Sequence, residues 1–127
     1  MEKAKIIHIE DDPFFSNIVR MSLELDDSGH MVVERAFTME EAIKSLYSKA
    51  RNESVFNVVL LDGNLSHDSH NGSDAMKIIN IIKDLKLDVI TIGCSGSILR
   101  DNFIEVDYEI NKTDFTVDKL VKLIDEI

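Results

Sequence analysis

Ile6-Ile7-His8-Ile9-Glu10-Asp11-Asp12-Pro13 is the stretch on which the fold turns. A short apolar run reads as a strand, and it ends at once on three carboxylates. Val58-Val59-Leu60-Leu61 repeats the pattern and ends on Asp62. It is nearly all apolar, as expected of a strand buried on both faces of a parallel sheet. In open α/β sheets the carboxyl ends of the strands form the edge where ligands bind. Carboxylates that meet there repel: at ~4 Å and an effective dielectric of ~20, each like-charged pair costs roughly 4 kcal/mol. Such a cluster calls for a hard divalent cation with oxygen ligands, most simply Mg²⁺.

Working outward, short apolar runs alternate with longer amphipathic segments. The first strand covers about 5–9. Asp12-Pro13 reads as an N-cap with proline at the first helical position. In the helix that follows, Ile18, Met21, Ser22 and Leu25 recur at helical period, and Asp26-Asp27-Ser28-Gly29 stops it. A second strand starts at Met31 and ends near Ala36. Thr38-Met39-Glu40-Glu41 is a capping box opening a helix through Ala42 and Leu46 to about Ala50. The third strand is expected over 55–61 and a polar loop over 63–72. Ser73 is the expected cap of a helix whose stripe is Ala75, Ile78, Ile79 and Ile82. A fourth strand is expected over 89–92, then a tight turn at Cys94-Ser95-Gly96-Ser97 and a weakly patterned helix over 97–103. A fifth strand is expected over 108–110. The last helix is expected over about 116–127, with Val117, Leu120, Val121 and Ile124 on one face. Five strand–helix units in a row predict a parallel sheet wrapped by helices on both faces.

The length of 127 residues fits one domain, 1–127. No apolar stretch approaches the ~18 residues of a membrane span, and the N-terminus shows no signal-peptide pattern. Cys94 is the lone cysteine, which favours a reduced, cytoplasmic protein. Acids outnumber bases 24 to 14, a net charge of -10. That argues against nucleic acid or an anionic membrane surface as a direct partner.

Polar groups from four strand ends converge on one edge: Glu10, Asp11 and Asp12, then Asp62, Ser95 and Lys112. The set suits phosphoryl transfer. A metal and a lysine would neutralise phosphoryl charge, and a hydroxyl would donate to a phosphoryl oxygen. Asp62 would serve as nucleophile, since carboxylates form aspartyl phosphates.

With these residues in view, the chain resembles a receiver domain of the two-component response regulator family. The resemblance rests on residues 6–13, on Val58-Val59-Leu60-Leu61-Asp62, on Cys94-Ser95-Gly96 and on Asn111-Lys112. It implies a doubly wound five-stranded sheet of order 2-1-3-4-5. It also implies that Asp62 accepts a phosphoryl group from a phosphohistidine on a sensor histidine kinase or a phosphotransfer protein. On that resemblance Asp11 is the direct metal ligand and Glu10 its acidic neighbour, acting through metal-bound water. The backbone carbonyl of Asn64 is a further ligand, for Mg²⁺ or Mn²⁺ in its place. Ser95 and Lys112 engage the phosphoryl group. The chain's chemistry would be self-catalysed phosphorylation and dephosphorylation rather than enzymatic turnover, switching a surface read by a downstream protein.

The chain departs from the family pattern in places. Thr113 follows the lysine where proline is usual, so a trans bond is expected there. Glu109 stands where the aromatic switch residue is usual, with Tyr108 one residue earlier. The loop between Asp62 and Gly72 is long, and the segment from Ser95 to Lys112 is short, so the fourth helix should be short or irregular. These departures sustain an alternative, a receiver-like interaction module that no longer switches. A true phosphohydrolase of the haloacid dehalogenase kind fits less well, because Asn64 replaces its second aspartate. His67 and His70 read as solvated loop residues, Cys94 and His8 as core or strand-face residues, and Asp26-Asp27 as a solvated helix end.

Overall fold

A computed structural model describes residues 3–62, 73–96 and 104–127. Its elements follow the chain as β1 (Lys5–Ile9), α1 (Pro13–Leu25), β2 (Met31–Ala36), α2 (Met39–Ala50), β3 (Val58–Leu61), α3 (Ser73–Asp84), β4 (Ile90–Ser95), β5 (Tyr108–Asn111) and α4 (Val117–Glu126). A single 3-10 turn, Lys112–Asp114, joins β5 to α4. The strands form one sheet in the order β2-β1-β3-β4-β5, and every pairing is parallel. The expected helix over 97–103, short or irregular, lies outside the described residues, as do Asn64, His67 and His70.

The strand period of two divides the core. Ile7, Ile9, Val59 and Leu61 pack against Ala42 and Leu46 of α2 and Ala75, Ile78 and Ile82 of α3. Ile6, Val58, Leu60 and Ile92 pack on the other face against Val19 and Leu23 of α1 and Leu120 and Ile124 of α4. The sheet is thus covered on both sides, as expected for central strands that are buried on both faces.

Caps set the helix starts. Asp12 accepts from the backbone N–H groups of Phe14 (3.0 Å) and Phe15 (3.3 Å), with Pro13 at the first helical position. Thr38 accepts from Glu41 N–H at 3.1 Å, and Thr116 accepts from Lys119 N–H at 3.1 Å. Thr116 is therefore the cap of the last helix rather than its first residue. Ser73 is the first residue of α3 rather than its cap.

The buried face of α1 is not the one its most obvious period suggests. Ile18, Met21 and Leu25 are exposed, Leu25 to 85%, and join Phe14 in an outward apolar stripe. The helix buries Ser16, Val19 and Leu23 instead. Two apolar stripes run along this helix. The one carrying small Ser16 turns inward, where a helix backbone needs room to approach the sheet. β3 begins at Val58 rather than Val55, which is 62% exposed. β4 runs past Ile92 to Ser95, so Cys94-Ser95 is strand, not turn.

The C-terminal helix is tied back to β1 by a histidine. His30 is buried, and its Nδ1 accepts from Ala4 N–H at 2.9 Å. An N–H only donates, so the ring hydrogen sits on Nε2 and faces Asp125 Oδ1 at 2.7 Å.

The α1 correction has a measurable consequence. Leu23→Ala removes a fully buried side chain and should cost about 2–5 kcal/mol in urea denaturation. Leu25→Ala should stay within about 0.5 kcal/mol of the parent. Equal effects would mean that α1 is rotated from the orientation described.

Candidate functional site

The parallel ladder itself delivers the carboxylates. Asp62 N–H donates to Ile9 O at 2.9 Å, and Glu10 N–H donates to Ala36 O at 2.9 Å. Both residues continue strand pairing one step past the ends of β3 and β1, so their side chains emerge side by side. Glu10, Asp11 and Asp62 each offer an oxygen, and these atoms lie within 4.8 Å of one another. Glu10 is 1% and Asp62 7% exposed, while Asp11 is half-buried.

This crowding has an electrostatic price. Burial first, and then the neighbouring Asp62, push the Glu10 carboxyl up to about 8, against the downward pull of Lys112. Asp11 is raised too, by burial and by Asp62. The second oxygen of Glu10 is buried with no hydrogen-bond partner among the described residues. An unpartnered buried carboxylate oxygen within a three-carboxylate cluster fits a hard divalent cation of the Mg²⁺ type. Glu10, Asp11 and Asp62 are the residues that would hold it; Asn64 lies outside the described residues.

Lys112 answers the charge from the far side of the sheet. It opens the 3-10 turn after β5, whose start is capped by Asn111 Oδ1 accepting from Thr113 N–H at 3.0 Å. Among the described residues no peptide bond is cis, so Lys112–Thr113 is trans as expected. The lysine still reaches the site: Nζ pairs with Glu10 Oε1 and lies 3.9 Å from Asp62 Oδ2. Burial alone would lower its pKa; the Glu10 hydrogen bond and the Asp62 charge outweigh that and raise it.

Ser95 is the last residue of β4, buried and paired in register with Asn111. The β3–β4 register ends with Leu61 opposite Gly93, so Ser95 stands at the same carboxyl edge as Asp62. Cys94 beside it is buried, and burial pushes its thiol up to about 12, which makes it a core residue without nucleophilic character. Tyr108 is 36% exposed on the edge strand β5, and Glu109 follows it there.

Sequence reading missed an aromatic group beneath the lysine. Lys112 Nζ lies 4.7 Å from the centroid of the Phe15 ring. His8 and Phe115 meet that ring edge-on, at 6.0 and 5.5 Å between centroids. His8 is buried as expected, but its Nδ1 has no hydrogen-bond partner among the described residues. Burial, Lys112 and Arg35 lower its pKa to about 3, so it is neutral at ordinary pH. The signal available in the sequence was Phe14-Phe15 after the cap and Phe115 after the lysine, residues that periodicity alone assigns to packing.

No protein-family model matches the sequence, and no curated protein matches it. Solved structures do match in fold. The signal receiver domain of the response regulator NarL from Mycobacterium tuberculosis superposes with TM-score 0.74 at 18% identity, covering 99% of this chain and 96% of that one. The phosphorylated cyanobacterial phytochrome response regulator RcpA matches with TM-score 0.66 at 22% identity over 98% and 90% of the two chains. The receiver domain of the histidine kinase CKI1 from Arabidopsis thaliana, complexed with Mg²⁺, matches with TM-score 0.66 at 16% identity over 97% and 90%. The chain therefore has the response regulator receiver fold, as its sequence resemblance implies. Among the described residues no helix is long and apolar enough to cross a membrane.

The carboxylate cluster predicts a pH dependence. An isolated Glu has a pKa of 4.5, against about 8 for Glu10 here. Between those values the folded state holds a proton that the unfolded chain lacks, so stability falls as pH rises. His8 works the other way, but only between about 3 and 6.5. From pH 6.5 to 8 the Glu10 effect is unopposed by His8. The chelated protein should lose on the order of 1 kcal/mol per pH unit there. Millimolar Mg²⁺ should restore most of it. Denaturant midpoints across this window, with and without chelator, check the slope; a flat or rising metal-free curve contradicts it.

Proposed function

We propose that this chain is a phosphoacceptor receiver domain in a two-component or phosphorelay pathway, with Asp62 as the acceptor. The observation that carries the reading is the Glu10–Asp11–Asp62 cluster with Lys112 aimed into it, on a receiver fold. A bound Mg²⁺ would neutralise carboxylate and phosphoryl charge there. An Asp62 carboxylate oxygen attacks the phosphorus of a phosphohistidine. The O–P bond forms, the P–N bond breaks, and the imidazole keeps the electron pair and leaves neutral, its other nitrogen carrying the proton. Lys112 pairs with a phosphoryl oxygen, and the Ser95 hydroxyl donates to another. Water attacking the same phosphorus then breaks the O–P bond, which regenerates Asp62 and releases phosphate. On this reading the chain does not turn over an external substrate.

The partner is a protein. An apolar stripe, Phe14, Ile18, Met21 and Leu25, begins just after the acidic triplet and stays exposed along α1. A surface of that kind suits a protein contact beside the acceptor. A sensor kinase or phosphotransfer protein supplies the phosphoryl group, and a downstream protein reads the phosphorylated state, in the cytoplasm. Phosphorylation biases a two-state surface near β5 and the segment before it.

Incubation with acetyl phosphate and Mg²⁺, read by intact mass, tests this directly. The expected result is the gain of one phosphoryl group, abolished by Asp62→Asn and by chelation. Lys112→Ala should still bind Mg²⁺ but should lose at least about tenfold in labelling rate, the scale of one positioned electrostatic contact. No adduct in the wild-type chain, together with no Mg²⁺ binding, would favour the interaction module that has lost switching. Steady turnover of small phosphate esters would favour a hydrolase.

A further inference from the structure

We propose that Phe15 is a positioning residue for Lys112, its ring forming a shelf that keeps the ammonium aimed at Asp62 throughout the phosphorylation cycle. The inference rests on the reading of Asp62 as acceptor and concerns how its lysine is held. Among the described residues, three groups support the ammonium: Glu10, Asp62 and the Phe15 ring. Two of them change during the proposed chemistry. Glu10 faces a cation, and Asp62 gains a phosphoryl group. Only the ring keeps the same charge distribution at every stage. A lysine is a point charge on a flexible four-carbon stem, so its aim depends on the support that stays constant.

The shelf is itself fixed. Asp12 Oδ1 accepts from Phe15 N–H at 3.3 Å, which sets the first turn of α1 and with it the base of the ring. His8 from β1 and Phe115 from the turn after Lys112 meet the ring edge-on. Phe115 lies three residues after the lysine it helps to hold, so ring and ammonium are tied through one short turn. Phe15 and Phe115 are half-buried and wall a groove of about 310 Å³ between α1 and α4. Phe15 packs on the rim of the α1–α4 core cluster rather than within it, so a variant that keeps apolar bulk leaves that cluster covered.

Phe15→Leu and Phe15→Tyr separate the shelf from plain packing, since leucine keeps apolar bulk and tyrosine keeps the ring face. In NMR spectra of the full chain, the Lys112 side-chain methylenes should be shifted upfield by the ring in wild type and Phe15→Tyr. In Phe15→Leu that shift should be lost. With saturating Mg²⁺ and acetyl phosphate, Phe15→Leu should label about fivefold more slowly, and Phe15→Tyr at nearly the wild-type rate. The thermal midpoint of each variant should stay within a few degrees of wild type. Retention of the upfield shift or of the wild-type rate in Phe15→Leu overturns the proposal, as does a slowing that Phe15→Tyr shares. Should the wild-type chain take up no phosphoryl group, the reading of Asp62 falls. The ring-current shift then decides the shelf alone: its presence upholds the contact, and its absence overturns it.

Discussion

Two backbone hydrogen bonds, Asp62 N–H to Ile9 O and Glu10 N–H to Ala36 O, hold the site together by holding its charges too close. They belong to a parallel ladder packed on both faces, so the carboxylates above them have no freedom to spread apart. Separating Glu10 from Asp62 would mean breaking pairing at the centre of the sheet, where Ile7, Ile9, Val59 and Leu61 are fully buried. The core is worth far more than the few kcal/mol of repulsion between carboxylates at this range. The sheet therefore imposes the crowding, and the site must find positive charge. Lys112 supplies part of it from within the chain, and the unpartnered Glu10 oxygen marks what Lys112 leaves unmet.

On the proposed reading, that arrangement would make the lysine and a divalent cation partners rather than duplicates. Lys112 pairs with one oxygen of Glu10 while the other stays bare. On the proposed reading, a cation entering among Glu10, Asp11 and Asp62 would displace the Glu10 proton and draw on the same carboxylate oxygens that now hold the lysine. With those oxygens shared, the grip on Lys112 would weaken, and the ammonium would become available to a group arriving at Asp62. In this way electrostatics would couple metal binding to lysine availability without any movement of the sheet. An ion pair alone would leave the released lysine free to wander, and for that reason the nature of its third neighbour, an aromatic ring, matters.

The fold was legible because its signals are redundant. The central strands are short, largely apolar runs, and α1 and α2 each open on a side-chain cap that the structure retains. The acidic half of the site was legible for a related reason: carboxylates directly after buried strands have few purely structural explanations. Side-chain direction on α1 was not legible, since two apolar stripes satisfy the helical period and only packing chooses between them. The end of β4 was missed because Gly93, Cys94 and Ser95 look like turn residues, whereas their pairing with β5 keeps them extended. The trans bond at Thr113 followed from the absence of proline, but the aim of Lys112 did not, because it depends on Asn111 capping the turn and on Phe15. Contacts between side chains far apart in sequence, such as His30 with Asp125, carry no periodic trace at all.

On the proposed reading, the net charge of -10 bears on which phosphoryl donor the chain would accept. A phosphoryl group is itself anionic, and the chain's overall field opposes its approach. That field is screened beyond about 8–10 Å at physiological ionic strength, so the opposition acts mainly during approach and not within the site. Inside, Lys112 offsets part of the negative charge, and a bound cation would offset more. A small anionic donor must cross the unfavourable region unaided. A protein donor has another source of affinity, because the exposed Phe14, Ile18 and Met21 beside the acidic triplet offer apolar surface to bury on contact. Burial of that kind does not depend on the sign of the chain's net charge. On the proposed reading, the acidic character of the chain thus works as a filter: it disfavours free phosphate compounds and leaves the apolar face of α1 to admit a protein that brings the phosphoryl group with it.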